Sequence, residues 1–240
     1  MRSASSPPQD TCEARSSSKP QSSYILENLK ENLRKEHLAI NSERHPLTVQ
    51  GVDLKGTAAV LVPLFVGNAP ADLSVLLTKR SSTLKHHKGE VCLPGGKRDP
   101  DDVDDVSTAL REAQEEIGLQ SHSVRVLGKL PPMLSKHQIS VHPIVGTISS
   151  DFIHTGLKVN PAEVDAVFCV PLSRFLCSEN YTGYMDTKFG EKLVRIHHFE
   201  CDGYHVWGLT AHILIQVAKI ALGQETEFEE YAAGNPTSKL

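Results

Sequence analysis

The spacing of apolar residues predicts helices in three segments of the chain. Apolar side chains recur three or four positions apart among charged ones from residue 24, along 106–117 and along 209–223. In the second segment they fall on one stripe, and Gly118 follows as a helix stop. The stripe consists of Val106, Ala109, Leu110, Ala113 and Ile117.

Short β-branched and apolar runs predict strands between these helices. Residues 57–67 and 74–80 flank the turn-forming sequence NAPADL, which predicts a β-hairpin. Strands in the middle of the chain, with helices on both sides of them in sequence, predict an α+β fold built in layers. Further strands are predicted at 123–130, 139–148, 166–170 and 193–201.

The two ends of the chain differ in composition from the middle. Residues 1–20 are rich in Ser and Pro and contain few large apolar side chains, so we expect a disordered tail. We expect one domain at 21–223, which includes the first helix, and a polar, flexible tail at 224–240.

Composition excludes several classes of protein. A net charge of −4 gives no general attraction to polyanions, so we expect neither nucleic acid nor a membrane surface as a partner. The five cysteines are scattered without C-x-x-C spacing, which favours reduced thiols over disulfides or a zinc site. No apolar run approaches the roughly 18 to 20 residues of a membrane span, and the N-terminal segment has no hydrophobic signal core. The sequence therefore predicts a protein that is neither secreted nor integral to a membrane.

Three glutamates crowd one face of the predicted second helix. Glu112, Glu115 and Glu116 stand at positions i, i+3 and i+4, where like charges repel. No lysine lies within 107–119 to relieve this repulsion, and Arg111 is the only cation there. A solvated acidic face would explain such a cluster standing alone. A hard divalent cation, Mg²⁺ or Mn²⁺, would neutralise it, and such ions prefer oxygen ligands.

The stretch GGKRDPDDVDDVSTALREAQEEIGL resembles the Nudix box, G-x5-E-x7-R-E-U-x-E-E-x-G-U with U apolar. The second half matches at every fixed position from Arg111 to Leu119. In the first half, Gly96 stands one residue too far upstream and no glutamate occupies the upstream acid position. Asp102 or Asp104 would have to serve there.

This resemblance implies an α+β Nudix-type α/β/α sandwich with a mixed β-sheet and a catalytic loop-helix-loop. It also implies hydrolysis of a nucleoside diphosphate linked to another moiety, with metal ligands at Glu112, Glu115 and Glu116. Arg111 would orient these carboxylates, and Glu112 and Glu115 would also serve catalysis. Glu163, in NPAEVDAVF, is the candidate for a further ligand or general base, although an exposed acid at a strand end would explain it equally well.

A second segment, LLTKRSSTLKHHKGEVCLPGGK, resembles the signature LLT-x-R-S-x3-R-x3-G-x3-F-P-G-G-x of the coenzyme A diphosphatases within that family. Lys85 replaces an arginine and Leu93 replaces a phenylalanine. The resemblance implies cleavage of coenzyme A or acyl-CoA to 3′,5′-ADP and 4′-phosphopantetheine or its acylated form. Residues 80–88 form the densest cationic stretch, which we assign to the 3′-phosphate, distant from the scissile bond; a solvated basic loop is the alternative. The implied substrate-binding residues are Arg80, Ser81, Lys85, Gly95 and Gly96.

The last three residues, Ser238, Lys239 and Leu240, form a peroxisomal address when they are a free C-terminus. They predict localisation in the peroxisome, with its import receptor as a partner. Two alternatives to a coenzyme A diphosphatase stay open: an NADH or ADP-ribose diphosphatase, and a catalytically silent nucleotide-binding module. The preference for free or acylated coenzyme A, the metal used and the oligomeric state also stay open.

Overall fold

The computed structural model describes residues 21–39, 47, 52–67, 73–189 and 192–232. The expected N-terminal tail and the C-terminal tripeptide lie outside the described residues. Three α-helices are described: α1 (Gln21–Ala39), α2 (Asp105–Ile117) and α3 (Gly208–Leu222). The eleven described strands are β1 (Gly56–Val66), β2 (Leu73–Arg80), β3 (Val91–Cys92), β4 (Gly95–Lys97), β5 (Arg125–Lys129), β6 (Met133–Leu134), β7 (Ile139–Thr147), β8 (Val164–Pro171), β9 (Tyr181–Phe189), β10 (Lys192–Cys201) and β11 (Tyr204–Trp207).

The strands form two sheets. The larger sheet has eight strands in the path β3-β2-β1-β7-β5, with β4 on β1, β6 on β7 and β8 on β2. Only β1 and β7 run parallel among the described pairs, so the sheet is mixed. The smaller sheet is antiparallel in the order β11-β10-β9. The predicted hairpin of β1 and β2 is confirmed, because these strands pair antiparallel.

Alternation along β1 sends its side chains to opposite faces of the larger sheet. Val62 and Leu64 join a core with α1, α3 and the smaller sheet, while Leu61 and Phe65 join a second core under α2. Helices therefore cover both faces of a mixed sheet, which buries its strands on both sides. The predicted α/β/α sandwich is confirmed.

Helix α2 begins and ends close to the predicted residues. The Asp104 side chain accepts a hydrogen bond from the Ser107 backbone N–H at 2.8 Å, and the Ser107 hydroxyl lies 2.9 Å from the Asp104 backbone nitrogen. This reciprocal capping box satisfies free N–H groups at the start of the helix. Gly118 ends the helix in the left-handed conformation at φ 75°. The predicted apolar stripe packs against the larger sheet.

The hydrophobic pattern did not predict β9 or β11. Strand β9 contains Gly183 and Asp186 among exposed side chains, so its alternation is weak. Strand β11 has only four residues. Both strands are stabilised by pairing with β10, a contact between segments that no single segment displays.

The prediction of a flexible tail from residue 224 is wrong for the described residues 224–232. Phe228 stacks on Tyr181 with ring centroids 4.1 Å apart. Glu230 is buried, and its carboxylate accepts hydrogen bonds from Lys219, at 2.7 Å, and from Gln216. The polar composition of this segment did not predict its packing. A glutamate such as Glu230 can be buried because its charge is neutralised by Lys219, which lies on α3 and not in the segment itself.

Two further predictions concern the described chain as a whole. No described helix is long and apolar enough to cross a membrane. The described cysteines carry free thiols, as their spacing predicted: Cys92, Cys169, Cys177 and Cys201.

Candidate active site

Arg111 forms ion pairs with three carboxylates. Its Nε and Nη2 donate to the two carboxylate oxygens of Asp102, each at 3.0 Å. Its Nη1 donates to Glu112 at 3.0 Å and to Glu115 at 3.1 Å. A further bond from Nη2 to the Lys97 backbone oxygen, at 3.1 Å, ties the same guanidinium to β4. Arg111 therefore joins the loop before α2 to the helix itself.

The structure decides between the two upstream aspartates. Asp102 pairs with Arg111, and this pairing holds the pKa of Asp102 well below its ordinary value. Asp104 instead caps α2. The extra loop residue thus leaves the ion pair intact, because Asp102 reaches the arginine from the loop.

Glu116 is the buried member of the glutamate cluster, with 1% of its surface exposed. One carboxylate oxygen accepts a hydrogen bond from the Gly95 N–H at 3.3 Å, and the other lies 3.5 Å from Arg80 Nη1. Burial raises the pKa of Glu116 to about 8; the Arg80 charge opposes this rise, and the Glu112 charge adds to it.

Glu112 and Glu115 have different surroundings. A Cβ added at Gly96 would lie 2.5 Å from the Glu112 carboxyl carbon, so glycine permits the close approach of β4 to this side chain. Burial raises the pKa of Glu112, Arg111 opposes the rise, and the charges of Glu115 and Glu163 add to it. The Glu115 side chain is 49% exposed. The three glutamates are therefore not equivalent.

Glu163 lies near the cluster, just before β8. Its charge raises the pKa of both Glu112 and Glu116. Its carboxylate accepts a hydrogen bond from the Asn160 amide at 3.2 Å, and its backbone oxygen accepts one from the Ser81 N–H at 2.8 Å. The structure thus brings a fourth carboxylate, more than 40 positions later in sequence, to the same region.

The substrate-binding predictions separate into two groups. Arg80, Gly95 and Gly96 line a cavity of about 330 Å³ beside the carboxylates. Ser81 is buried outside the lining, and its hydroxyl lies 2.9 Å from that of Thr83. Lys85 is exposed and also lies outside the lining.

Arg80 lies at the glutamate cluster. We expected this cation to lie away from the scissile bond, and in the structure its guanidinium lies against Glu116. The Arg80 Nε is buried and has no hydrogen-bond partner in the described structure. The difference arises because β2 lies beside the strands that face α2, a relation that the loop's composition does not reveal.

The rest of the cavity was not foreseen. Its lining includes apolar side chains from distant parts of the chain, among them Val60, Phe189 and Leu209, together with Trp207. Lys136 and His137 contribute from the loop before β7. No local motif marks these residues, because only the packing of the smaller sheet against the larger one brings them together.

The family model of the NUDIX domain matches residues 55–183, which include α2 and all eight strands of the larger sheet. This chain belongs to the NUDIX family. The match covers just over half of the 240 residues. It contains Glu112, Glu115, Glu116 and Glu163, but ends before α3.

Several members of the NUDIX family resemble this chain. "Nudix hydrolase 15, mitochondrial" of Arabidopsis thaliana is 46% identical over 177 residues, covering 72% of this chain and 61% of the relative. "Nudix hydrolase 22, chloroplastic" of the same plant is 45% identical over 187 residues, covering 76% and 61%. The chain thus spans about three fifths of the length of these two relatives. "Peroxisomal coenzyme A diphosphatase NUDT7" of Mus musculus is 40% identical over 177 residues, covering 71% of this chain and 72% of that protein.

Among solved structures, a MutT/nudix family protein from Enterococcus faecalis aligns over 84% of this chain and 73% of its own, with 14% identity and a TM-score of 0.43. This similarity is too low to add to the family assignment.

The carboxylates of this NUDIX site fit a hard divalent cation bound by two protein ligands. Buried Glu116 and half-buried Glu112 repel each other, and a cation would relieve that repulsion. Among the described residues, no group of three or more His, Cys, Asp or Glu side chains is arranged to hold a metal ion. Glu115, the third glutamate that the resemblance implied as a ligand, is half exposed and accepts a hydrogen bond from Arg111. Mg²⁺ commonly uses one or two carboxylates and completes its shell with substrate phosphates and water.

Proposed function

We propose that this NUDIX protein is a metal-dependent diphosphatase that hydrolyses coenzyme A and acyl-CoA esters. Its products would be 3′,5′-ADP and 4′-phosphopantetheine or the acylated form. One observation carries the proposal: Arg80, Gly95 and Gly96 of the coenzyme A signature lie directly against Glu112 and Glu116 of the Nudix box. The two motifs overlap at Gly95, Gly96 and Lys97, and the fold also brings Arg80, which precedes the overlap by 15 positions, to the glutamates of the Nudix box.

The metal proposal follows the chemistry of the family, whose hydrolases use divalent cations such as Mg²⁺. Glu112 and Glu116 would hold Mg²⁺ or Mn²⁺, which when bound polarises the diphosphate and lowers the pKa of the attacking water. Arg111 keeps Glu112 and Glu115 in place through its bonds to both. We assign Glu163, whose charge acts on both glutamates, the role of general base or further ligand.

Similarity to the mouse protein supports coenzyme A as the substrate, since that protein is named as a coenzyme A diphosphatase and is 40% identical to this chain. The two plant relatives carry names that specify no substrate. NADH and ADP-ribose, also diphosphates of adenosine, are the competing substrates. The competing function is that of a nucleotide-binding module without turnover.

Mass spectrometry of the products tests these possibilities. The purified protein is incubated with Mg²⁺ and equal concentrations of coenzyme A, NADH and ADP-ribose, with Glu116→Gln as the inactive control. We expect 3′,5′-ADP and 4′-phosphopantetheine to accumulate first. Faster formation of AMP from NADH or ADP-ribose would overturn the substrate assignment. Absence of every product would favour the silent module.

We also propose that the protein acts in the peroxisome, carried there by an import receptor that binds Ser238, Lys239 and Leu240. Relatives named as peroxisomal, mitochondrial and chloroplastic occur at similar identity, so the compartment needs its own test. Imaging of the protein with and without these three residues provides it. We expect their removal to leave hydrolysis intact and to release the protein into the cytosol. Unchanged peroxisomal location would contradict this role.

A further inference from the structure

The cavity beside the carboxylates has a cationic region. Lys136 and His137 come from the loop between β6 and β7, and His87 comes from the loop between β2 and β3. The rings of His87 and His137 meet edge to face with centroids 5.4 Å apart. Two loops thus bring three nitrogen-bearing side chains to one part of the lining.

This region contains little negative charge. Among the described residues that line the cavity, Glu90 is the single carboxylate, and it lies 2.8 Å from His87 Nδ1. Lys136 makes no ion pair with any described carboxylate, and its ammonium lies 5.7 Å from the centre of the Trp207 ring. Burial, followed by the charges of Lys136 and His87, lowers the pKa of His137. Lys136 is therefore the positive charge of this region that no described carboxylate neutralises, and the two histidines add ring N–H donors beside it.

The same cavity has an aromatic and apolar wall. Trp207 lies in it with Phe189 and Leu209, and the Trp207 ring is nearly parallel to the His198 ring, at 8°. A flat aromatic ligand can stack on such a face. The cavity therefore combines a site for an aromatic ring with a site for an anion.

The two halves of coenzyme A differ in chemistry. The pantetheine arm is flexible and uncharged, with two amides. The nucleoside half carries a flat adenine and a 3′-phosphate with two negative charges near neutral pH. Only the second half matches both the aromatic wall and the cations. A volume of about 330 Å³ is at the small end of ligand pockets, roughly 300 to 1,000 Å³, so there is room for one half of the molecule.

We infer that this cavity receives the 3′-phosphoadenosine half of the substrate, with Lys136, His87 and His137 binding the 3′-phosphate and Trp207 facing the adenine. The inference rests on the proposed coenzyme A activity and names the site within it. The diphosphate lies at the Arg80, Gly95 and Gly96 end of the cavity, and the pantetheine arm with any acyl group extends away from it. The enzyme therefore distinguishes coenzyme A from dephospho-coenzyme A more strongly than it distinguishes acyl chain lengths.

Binding of the products tests the inference without turnover. Trp207 is the only tryptophan in the chain, so its fluorescence reports on this cavity alone. The probes are adenosine 3′,5′-bisphosphate, 5′-AMP and 4′-phosphopantetheine, each titrated with and without Mg²⁺. We expect adenosine 3′,5′-bisphosphate to change the fluorescence at the lowest concentration and 5′-AMP at a higher one. 4′-Phosphopantetheine should have the smallest effect.

Substitution of the cations identifies the group that they bind. Lys136→Gln removes an exposed charge. It should lower the affinity for adenosine 3′,5′-bisphosphate about tenfold, the size of one charge-assisted contact, and leave the affinity for 5′-AMP unchanged. His137→Gln should act in the same direction. Lys129→Gln is the matched control, since Lys129 is exposed on β5 outside the cavity lining and should change neither affinity.

Two results would overturn the assignment. One is a tighter fluorescence response to 4′-phosphopantetheine than to adenosine 3′,5′-bisphosphate, which would place the pantetheine arm in the cavity. The other is an equal loss of affinity for adenosine 3′,5′-bisphosphate and for 5′-AMP in Lys136→Gln. If coenzyme A is hydrolysed to the expected products while either result is obtained, the cavity assignment fails and the proposed function stands. If coenzyme A is not hydrolysed but the nucleotide titrations behave as expected, the proposed function fails and the nucleotide site stands.

Discussion

Asp102 and Arg111 form a two-pronged ion pair, in which Nε and Nη2 of the arginine each donate to one carboxylate oxygen at 3.0 Å. The aspartate belongs to the loop and the arginine to α2. The pair therefore fixes the orientation of α2, and of the glutamates on it, relative to the loop. A flat guanidinium matches a carboxylate in this geometry, which a lysine would not reproduce.

Alanine at Asp102 and alanine at Asp104 should have different consequences. Asp102→Ala leaves Arg111 without its main partner, so we expect a loss of about 2 kcal/mol in stability and a fall of about tenfold in kcat. Asp104→Ala removes a helix cap and should cost about 1 kcal/mol, with kcat changed by less than about twofold. Urea unfolding and steady-state hydrolysis of coenzyme A measure both. A larger loss of kcat in Asp104→Ala than in Asp102→Ala would show that Asp104, and not Asp102, is the upstream acid.

The stability of the metal-free protein should depend on pH through Glu116. Its folded pKa is raised to about 8, above the value in the unfolded chain, so the folded state binds more protons between those two values. The stability that Glu116 contributes is fully present below its unfolded pKa and is lost as pH rises toward about 8, by on the order of 1 to 3 kcal/mol. Glu116→Gln should reduce the fall in stability, leaving the part due to the raised pKa of Glu112, and should be more stable than the wild type at pH 8 in chelator. Unfolding curves at several pH values test whether the free energy of unfolding falls with rising pH. Glu115→Gln is the control that should keep this fall.

The two adjacent glutamates should also differ in catalysis. We expect Glu116→Gln to lower kcat by about 10² to 10³-fold at saturating Mg²⁺, because a carboxylate at the metal is lost. It should also reduce the thermal stabilisation gained from added metal. Glu115 is half exposed, so Glu115→Gln should lose about tenfold or less. Near-normal turnover in Glu116→Gln would remove Glu116 from the site.

Arg80 should act at the carboxylates and not at the 3′-phosphate. Because its guanidinium lies 3.5 Å from Glu116, Arg80→Ala should lower kcat by about tenfold or more instead of raising only KM. The loss should be the same for coenzyme A and for dephospho-coenzyme A. A loss confined to coenzyme A would restore the role that the sequence first indicated for this residue.

The helix and the hairpin that carry the site could be predicted because their signals are local. The stripe of Ala109, Ala113 and Ile117, with Gly118 after it, shows which face of α2 is buried whatever packs against it. The Nudix box is also local, since its arginine and glutamates lie within one short helix. The family therefore followed from short stretches of sequence, and the mixed sheet followed from the family resemblance.

Tertiary structure alone decided how those side chains are used. Helical spacing places both Glu115 and Glu116 one turn from Glu112. Of these two, only Glu116 is covered by β4 and Arg80, so only it loses its contact with water. The cavity, its cations and Trp207 come from loops and strands far apart in the chain, and the pairing of β9 and β11 with β10 helps to assemble them. The periodicity of the sequence shows which side of a helix or strand is apolar. The burial and the electrostatic environment of its side chains depend on the helix or strand that packs against them.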